Sequence, residues 1–218
     1  MKKEVIKNGC FIFLLVIVGS FFGFLYENTL TLMKGSYALR QGLLYEPLIP
    51  VYGVGLLAFY MIYDHIDLKN CSKLGKLFIV FSVGFIMGGL VEYIFSYIQE
   101  MAFGTISWDY SYLTLNLGGR TSVLHSSIWG LMGVIFYELL MPVLKKFKES
   151  LNKDWIMSIV MVLTIIFTID CLISTCACLR HTERKQNIEP TSVVDRFLDK
   201  HYPNEFIERV YNNAKETK

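Results

Sequence analysis

Apolar positions in this chain come in long blocks rather than in the periodic stripes of a soluble core. Five blocks, at about Gly9 to Met33, Leu48 to Tyr63, Leu74 to Ile98, Val123 to Leu144 and Trp155 to Leu179, approach or exceed the roughly 20 residues a helix needs to cross a bilayer. The second is the shortest, and Pro50, Gly53 and Gly55 lie in its first part. Its entry is expected to be broken or partly re-entrant, which is tolerated only where protein covers the freed backbone groups. The expected fold is therefore an all-α integral membrane protein of about five transmembrane helices. Residues 1–179 form the polytopic transmembrane domain and residues 180–218 an amphipathic C-terminal tail. In the tail, Val193, Val194, Phe197 and Leu198, then Phe206, Ile207, Val210 and Tyr211 beyond Pro203, space themselves as two short helices lying on the membrane or on a partner.

Composition agrees with this pattern, since 53% of the 218 residues are hydrophobic and 18% are charged. A net charge of +2 is too small to suggest a nucleic-acid partner. The first block has no small-residue cleavage site behind a short apolar core, so it reads as a retained span rather than a signal peptide. Lysines gather on alternate connections: Lys2, Lys3 and Lys7 before the first span, Lys69, Lys73 and Lys76 after the second, and Lys145, Lys146, Lys148 and Lys153 after the fourth. The positive-inside rule then makes the N terminus cytoplasmic and turns the connections at about 34–47 and 102–122 outward. An odd number of spans puts the tail outside too, although Arg180, Arg184 and Lys185 beside the membrane run against the rule locally.

A short pattern occurs twice. GFLYE at 23–27 leads to RQGLLYEPLIPVYGVG at 40–55, and GGLVE at 88–92 leads to RTSVLHSSIWGLMG at 120–133. Each half reads Gly-x-x-x-Glu, polar loop, Arg, apolar segment, aromatic-Gly, as expected of a parallel two-helix repeat about an axis along the membrane normal. Glycine enrichment in spans is the plainer reading of the same match.

Intramembrane carboxylates carry the candidate chemistry. Glu27, Glu92 and Asp170 each fall roughly 16 to 18 residues into a span, about 25 Å from its cytoplasmic entry at 1.5 Å per residue. A charge at such depth costs at least about 2.5 to 3.5 kcal/mol, so these groups should face protein, water or a cationic partner. Arg40 and Arg120, from the two outward connections, are the expected partners, because guanidinium groups bind carboxylates bidentately and stay charged. Read structurally, the same pairs fix helix register and bind nothing. Read functionally, they line an outward-facing polar pocket that binds a substrate or exchanges a proton. Glu138 lies close to the cytoplasmic end of its span and reads as an interfacial charge.

The second outward connection adds Asp109 and Asn116 to the candidate site. Trp108, Tyr110, Ser111, His125, Ser126 and Ser127 supply further donors and aromatic faces around Gly118 and Gly119, with the aromatics also readable as a membrane belt. His125 with Ser126 is weak as a catalytic pair, so no catalytic residue is assigned. Cys10, Cys71, Cys171, Cys176 and Cys178 read as core packing, with no metal or cofactor pattern among them.

Taken together, the two Gly-x-x-x-Glu motifs, RQGLLYEPLIPVYGVG, WDYS at 108–111, Asn116, GGR at 118–120 and SIWG at 127–130 resemble the bacterial ABC-transporter type IV, or CmpB-like, membrane family over about residues 10–178. That resemblance implies a permease-like role in a bacterial cell membrane. The chain has no Gly-x-x-x-x-Gly-Lys-Ser/Thr loop, so an ATPase partner would be a separate polypeptide. The expected site is Glu27, Arg40, Glu92, Asp109, Asn116, Arg120 and Asp170. The competing class is a non-transporting membrane subunit that uses these charges to hold its fold and recruit a partner. The sequence leaves self-association open.

Overall fold

The computed structural model describes residues 2–37, 42–151 and 154–217. Helix α1 spans Lys2–Met33, α2 Pro50–His65 and α3 Lys73–Phe103. Short strands β1 (Thr105–Ile106), β2 (Asn116–Leu117) and β3 (Thr121–Ser122) follow. A rod then runs through α4 (Val123–Ile135), a π-helical turn (Phe136–Leu140) and α5 (Met141–Ser150). The chain continues as α6 (Asp154–Lys185), α7 (Val193–His201), α8 (Asn204–Val210) and β4 (Lys215–Glu216).

Local chemistry sets several of these ends. Ser72 starts α3 by accepting the amide of Gly75 at 3.1 Å. Gly104 stops it, with φ at +63°, where a side chain would be strained. Ser122 caps α4, its hydroxyl accepting the His125 amide at 3.2 Å. Pro142 has no N–H to give and would push on the carbonyl one turn back. The rod absorbs this by widening, so that the Met141 amide donates five residues back to Phe136.

Among the described residues, four helices are long and apolar enough to cross a membrane: α1, α3, the α4–α5 rod and α6. The remaining expected crossing, α2, is shorter: its 16 residues span about 24 Å. The apolar run begins at Leu48, but the helix begins at Pro50, where the ring presets the helical φ. The non-helical entry ahead of it is covered by protein. Ile49 donates its amide to the Ser20 carbonyl at 3.0 Å, and Leu44 donates to the Ser174 hydroxyl at 2.9 Å.

Two helical hairpins, α1 with α2 and α3 with the rod, form the body, and α6 packs on α1. Glycines set both close approaches. Any Cβ at Gly19 would lie 2.9 Å from the Gly53 Cα, and one at Gly23 would lie 2.3 Å from the Tyr52 ring. In the second hairpin Gly84 faces Gly130, and a Cβ at Gly88 would lie 2.3 Å from Trp129. The core between hairpins is aromatic, with Phe59, Tyr63, Trp129 and Phe136 mutually packed. At the end carrying the lysine-rich connections, Lys145 pairs with Asp64 at 2.9 Å and Lys76 with Glu138 at 3.4 Å. Ionic contacts there hold the feet of α2 and α3 to the rod.

The tail occupies the opposite end. Its two amphipathic helices pack on the chain itself, while Val193, Val194 and Phe197 stay exposed. Leu198, Tyr202, Ile207 and Val210 pack against Ala177 of α6 and Leu44 of the first loop. Strand β4 pairs antiparallel with β1, Thr105 opposite Glu216 and Ile106 opposite Lys215. Arg180, only 3% exposed, donates to both oxygens of Asp199 at 2.8 and 3.0 Å. Arg184 reaches Asp199 at 2.7 Å, and Lys185 pairs with Glu208 at 3.3 Å. These are the three cations that ran against the positive-inside pattern, and acidic partners neutralise each of them.

Candidate functional site

Glu92 lies within α3 one turn beyond the close α3–α4 approach at Gly88 and Gly89. At Gly89 the helices come so close that a Cβ would lie 2.5 Å from the Ser126 hydroxyl. That approach brings the start of α4 and the strand before it onto the carboxylate. Tyr110 donates to Glu92 Oε1 at 2.9 Å, and Thr121 donates to Oε2 at 2.9 Å. The Thr121 and Ser126 hydroxyls are 3.4 Å apart. Glu92 is 8% exposed, so two hydroxyls rather than water satisfy it.

Tyr110 reaches this position because the second loop folds back over α3. Its amide donates to the Gly119 carbonyl at 2.8 Å, and its ring stacks on His125 at 3.6 Å. Asp109 and Asn116 shape the loop. Asp109 Oδ1 accepts the Ser111 amide at 2.9 Å, and this hydrogen bond holds the carboxyl below its ordinary range. Asn116 accepts the Gly119 amide at 2.8 Å, and Gly118 and Gly119 both take the left-handed backbone that closes β2 onto β3. Burial, then the charge of Glu92 and the hydrogen bond to it, push the Tyr110 phenol far above its ordinary value. Tyr110 therefore stays a proton donor.

Glu27 approaches from the other hairpin. Its Oε1 accepts the Tyr52 hydroxyl at 2.6 Å, and Tyr26 packs edge-on against Tyr52 at 6.0 Å. Glu27 is within electrostatic reach of Glu92 and of Tyr110, which makes the cluster an acidic one shared between hairpins.

The expected arginine partners are placed differently. Arg120 pairs with Glu100 instead of Glu92, donates to Ser96 at 3.3 Å, and lies over the rings of Tyr93 and Tyr97. Glu92, Ser96 and Glu100 recur every four residues on one face of α3, so two carboxylates were available to one guanidinium. Thr121 takes the inner carboxylate and leaves Arg120 to the one nearer the loop end. Arg40 lies outside the described residues.

Asp170 does not join the cluster. Its Oδ2 accepts the amides of Tyr45 at 3.1 Å and Glu46 at 2.9 Å, and its Oδ1 accepts the Ser174 hydroxyl at 3.0 Å. It ties the first loop to α6. Glu46 sits beside it, and burial, then the Asp170 charge, raise the Glu46 carboxyl above its ordinary value. Among the described residues no group of three or more His, Cys, Asp or Glu is placed to hold a metal ion.

Thr121 and Tyr52 are the site members that sequence reasoning passed over. Tyr52 could have been found from its place before Gly53 in the repeated aromatic-Gly pair; nothing local marks Thr121. No curated protein and no solved structure matches the chain. The profile of the family described as "Putative ABC-transporter type IV" matches residues 13–175, from the fourth turn of α1 into α6 and so across the whole Glu27–Glu92 cluster. With three quarters of its length matched, and with four apolar helices fit to lie in a bilayer, the chain belongs to this ABC-transporter type IV membrane family.

Proposed function

We propose that the chain is a permease-like transport protein of a bacterial cell membrane, with its site in the Glu27–Glu92 cluster. The N terminus is cytoplasmic, as the lysine asymmetry suggests, and the loop end faces outward. Helix α2 counts as a fifth, short crossing, which agrees with the tail docking on the same end as both outward connections. The two hairpins are parallel repeats. Gly23 beneath Tyr52 and Gly88 beneath Trp129 support this, as do Gly19 facing Gly53 and Gly84 facing Gly130.

The observation that carries the reading is Glu92 itself. A carboxylate within a spanning helix is bound by two neutral hydroxyls and lies within electrostatic reach of a second carboxylate on the other hairpin. Hydroxyl partners can exchange for a substrate's polar groups, and the carboxylate can exchange a proton. Arg120, Glu100, Asp109 and Asn116 hold the loop that delivers Tyr110 and Thr121; Asp170 holds the other loop. Energy from a nucleotide would come from a separate ATPase subunit.

The test is tracer flux into proteoliposomes of the purified chain, using a panel of inorganic cation, zwitterionic and amphiphilic tracers. At least one tracer should enter faster than into protein-free vesicles. Flux of none above that background would instead support the non-transporting subunit.

A further inference from the structure

We propose that a crevice between α3, the β2–β3 hairpin and the first turn of α4 binds a bilayer phospholipid. Its ester and glycerol oxygens would lie against Thr121 and Ser126. This deepens the transport reading and rests on it, by naming a membrane amphiphile as the substrate class of the Glu27–Glu92 site.

The crevice holds about 260 Å³, with Phe85, Leu115, Leu117 and Val123 on its walls and the buried hydroxyls of Thr121 and Ser126 deeper in. Its depth in the membrane is decisive. Phe85 lies about 18 Å along α3 from Lys73, inside the apolar run of that helix. An opening there faces hydrocarbon, not water. Leu115 and Leu117 are 67% and 62% exposed, and exposed Ile86, Leu90 and Leu124 continue the apolar surface around the opening.

The lining chemistry narrows the occupant. No charged side chain lines the crevice, so it offers no counter-charge to a phosphate or ammonium group. Hydroxyls donate to and accept from uncharged oxygens, which a phospholipid carries at its ester and glycerol positions. The volume falls below the roughly 300 to 1,000 Å³ that encloses a whole small ligand. It therefore takes part of a molecule whose remainder stays in the bilayer. Thr121 joins the crevice to the cluster, because the hydroxyl in the wall also donates to Glu92. A lipid oxygen accepting from Thr121 would draw that donor from the carboxylate.

The purified chain in nanodiscs is irradiated with phosphatidylglycerol carrying a diazirine near the ester end of one acyl chain, and adducts are mapped by mass spectrometry. Adducts should concentrate on Phe85 and residues 115–126. Ser126→Trp, which fills the crevice, should remove these and leave adducts on exposed Leu172 of α6 unchanged. Should Ser126→Trp lose its monodisperse detergent peak, Val123→Trp at the mouth gives the same comparison. Adducts spread evenly over the exposed faces of α3 and α6, indifferent to both substitutions, would overturn the proposal. If crevice labelling is absent while tracer flux still depends on Glu92, the lipid inference falls and the transport reading stands.

Discussion

Tyr52 and Trp129 stack at the interface between the hairpins, their ring centroids 5.4 Å apart and their planes 27° from parallel. Each ring also covers a glycine of its own hairpin, Gly23 under Tyr52 and Gly88 under Trp129. Tyr52 holds Glu27 through its hydroxyl at 2.6 Å. One aromatic pair thus joins the close packing of both hairpins to the carboxylate cluster.

Filling either notch should therefore loosen the whole interface. A Cβ at Gly88 would meet Trp129 at 2.3 Å, whereas one at Gly9 meets nothing within 4 Å. Gly88→Ala is expected to cost about 1 to 3 kcal/mol, as overpacking does. Gly9→Ala should be neutral or stabilise by up to about 1 kcal/mol, because it removes backbone freedom from an open helical site. Thermal unfolding in detergent distinguishes them: Gly88→Ala lowers the midpoint and Gly9→Ala does not.

Arg120 and Glu100 should tolerate exchange. The pair is partly exposed, so either single reversal is expected to cost more than the ~1 kcal/mol of a surface pair and less than the ~3 to 5 kcal/mol of a buried one. Arg120→Glu combined with Glu100→Arg should restore the monodisperse detergent peak. Arg120→Glu combined with Glu92→Arg should not, since Glu92 is served by Tyr110 and Thr121. Rescue by the second pair alone would contradict this assignment.

Acid should release the tail. Hydrogen bonds from Arg180 hold the Asp199 carboxyl below its ordinary range, and the Ser192 amide holds Asp195 down to about 2. A depressed carboxylate contributes stability above its unfolded value, about 3.9, and loses it as pH falls through the folded one. Hydrogen exchange over residues 193–210, taken relative to the intrinsic amide rate at each pH, should thus rise between about pH 4 and pH 2. Asp199→Asn, which leaves buried Arg180 with less charge to pair, should raise it at neutral pH. Exchange independent of pH and unchanged in the variant would mean that apolar packing alone holds the tail.

The tail must share a side with both long connections, since β4 pairs with β1 and Tyr202 meets Tyr45 at 2.7 Å. In a background without native cysteines, Tyr112→Cys and Val193→Cys should react with an impermeant thiol reagent added to intact cells. Ser72→Cys should not. Labelling at Ser72 alone would invert the orientation, and labelling that splits Tyr112 from Val193 would refute the docking.

What the sequence made legible follows the range of each interaction. Long apolar blocks state their helices directly, and Glu92 stood out because a carboxylate is costly where it lies. The length of α2 was legible, at 16 residues, but its start was not, because hydropathy counts Leu48 and Ile49 as span while helix geometry starts at Pro50. Arg120's partner could not be chosen from spacing, because Glu92 and Glu100 lie on the same face of α3. For the tail, periodicity gave two amphipathic helices, but their apolar faces find Ala177 and Leu44, contacts between residues far apart in the chain.

The central claim is that Glu92 acts in function rather than in folding, and Glu92→Gln tests it most directly. A carboxamide oxygen still accepts one of the two hydroxyls, so the detergent unfolding midpoint should stay close to that of the native chain. Flux of the tracer that the native chain carries should be lost. Native flux with a native midpoint would contradict the account, and so would a collapsed midpoint, which would make the carboxylate a structural group.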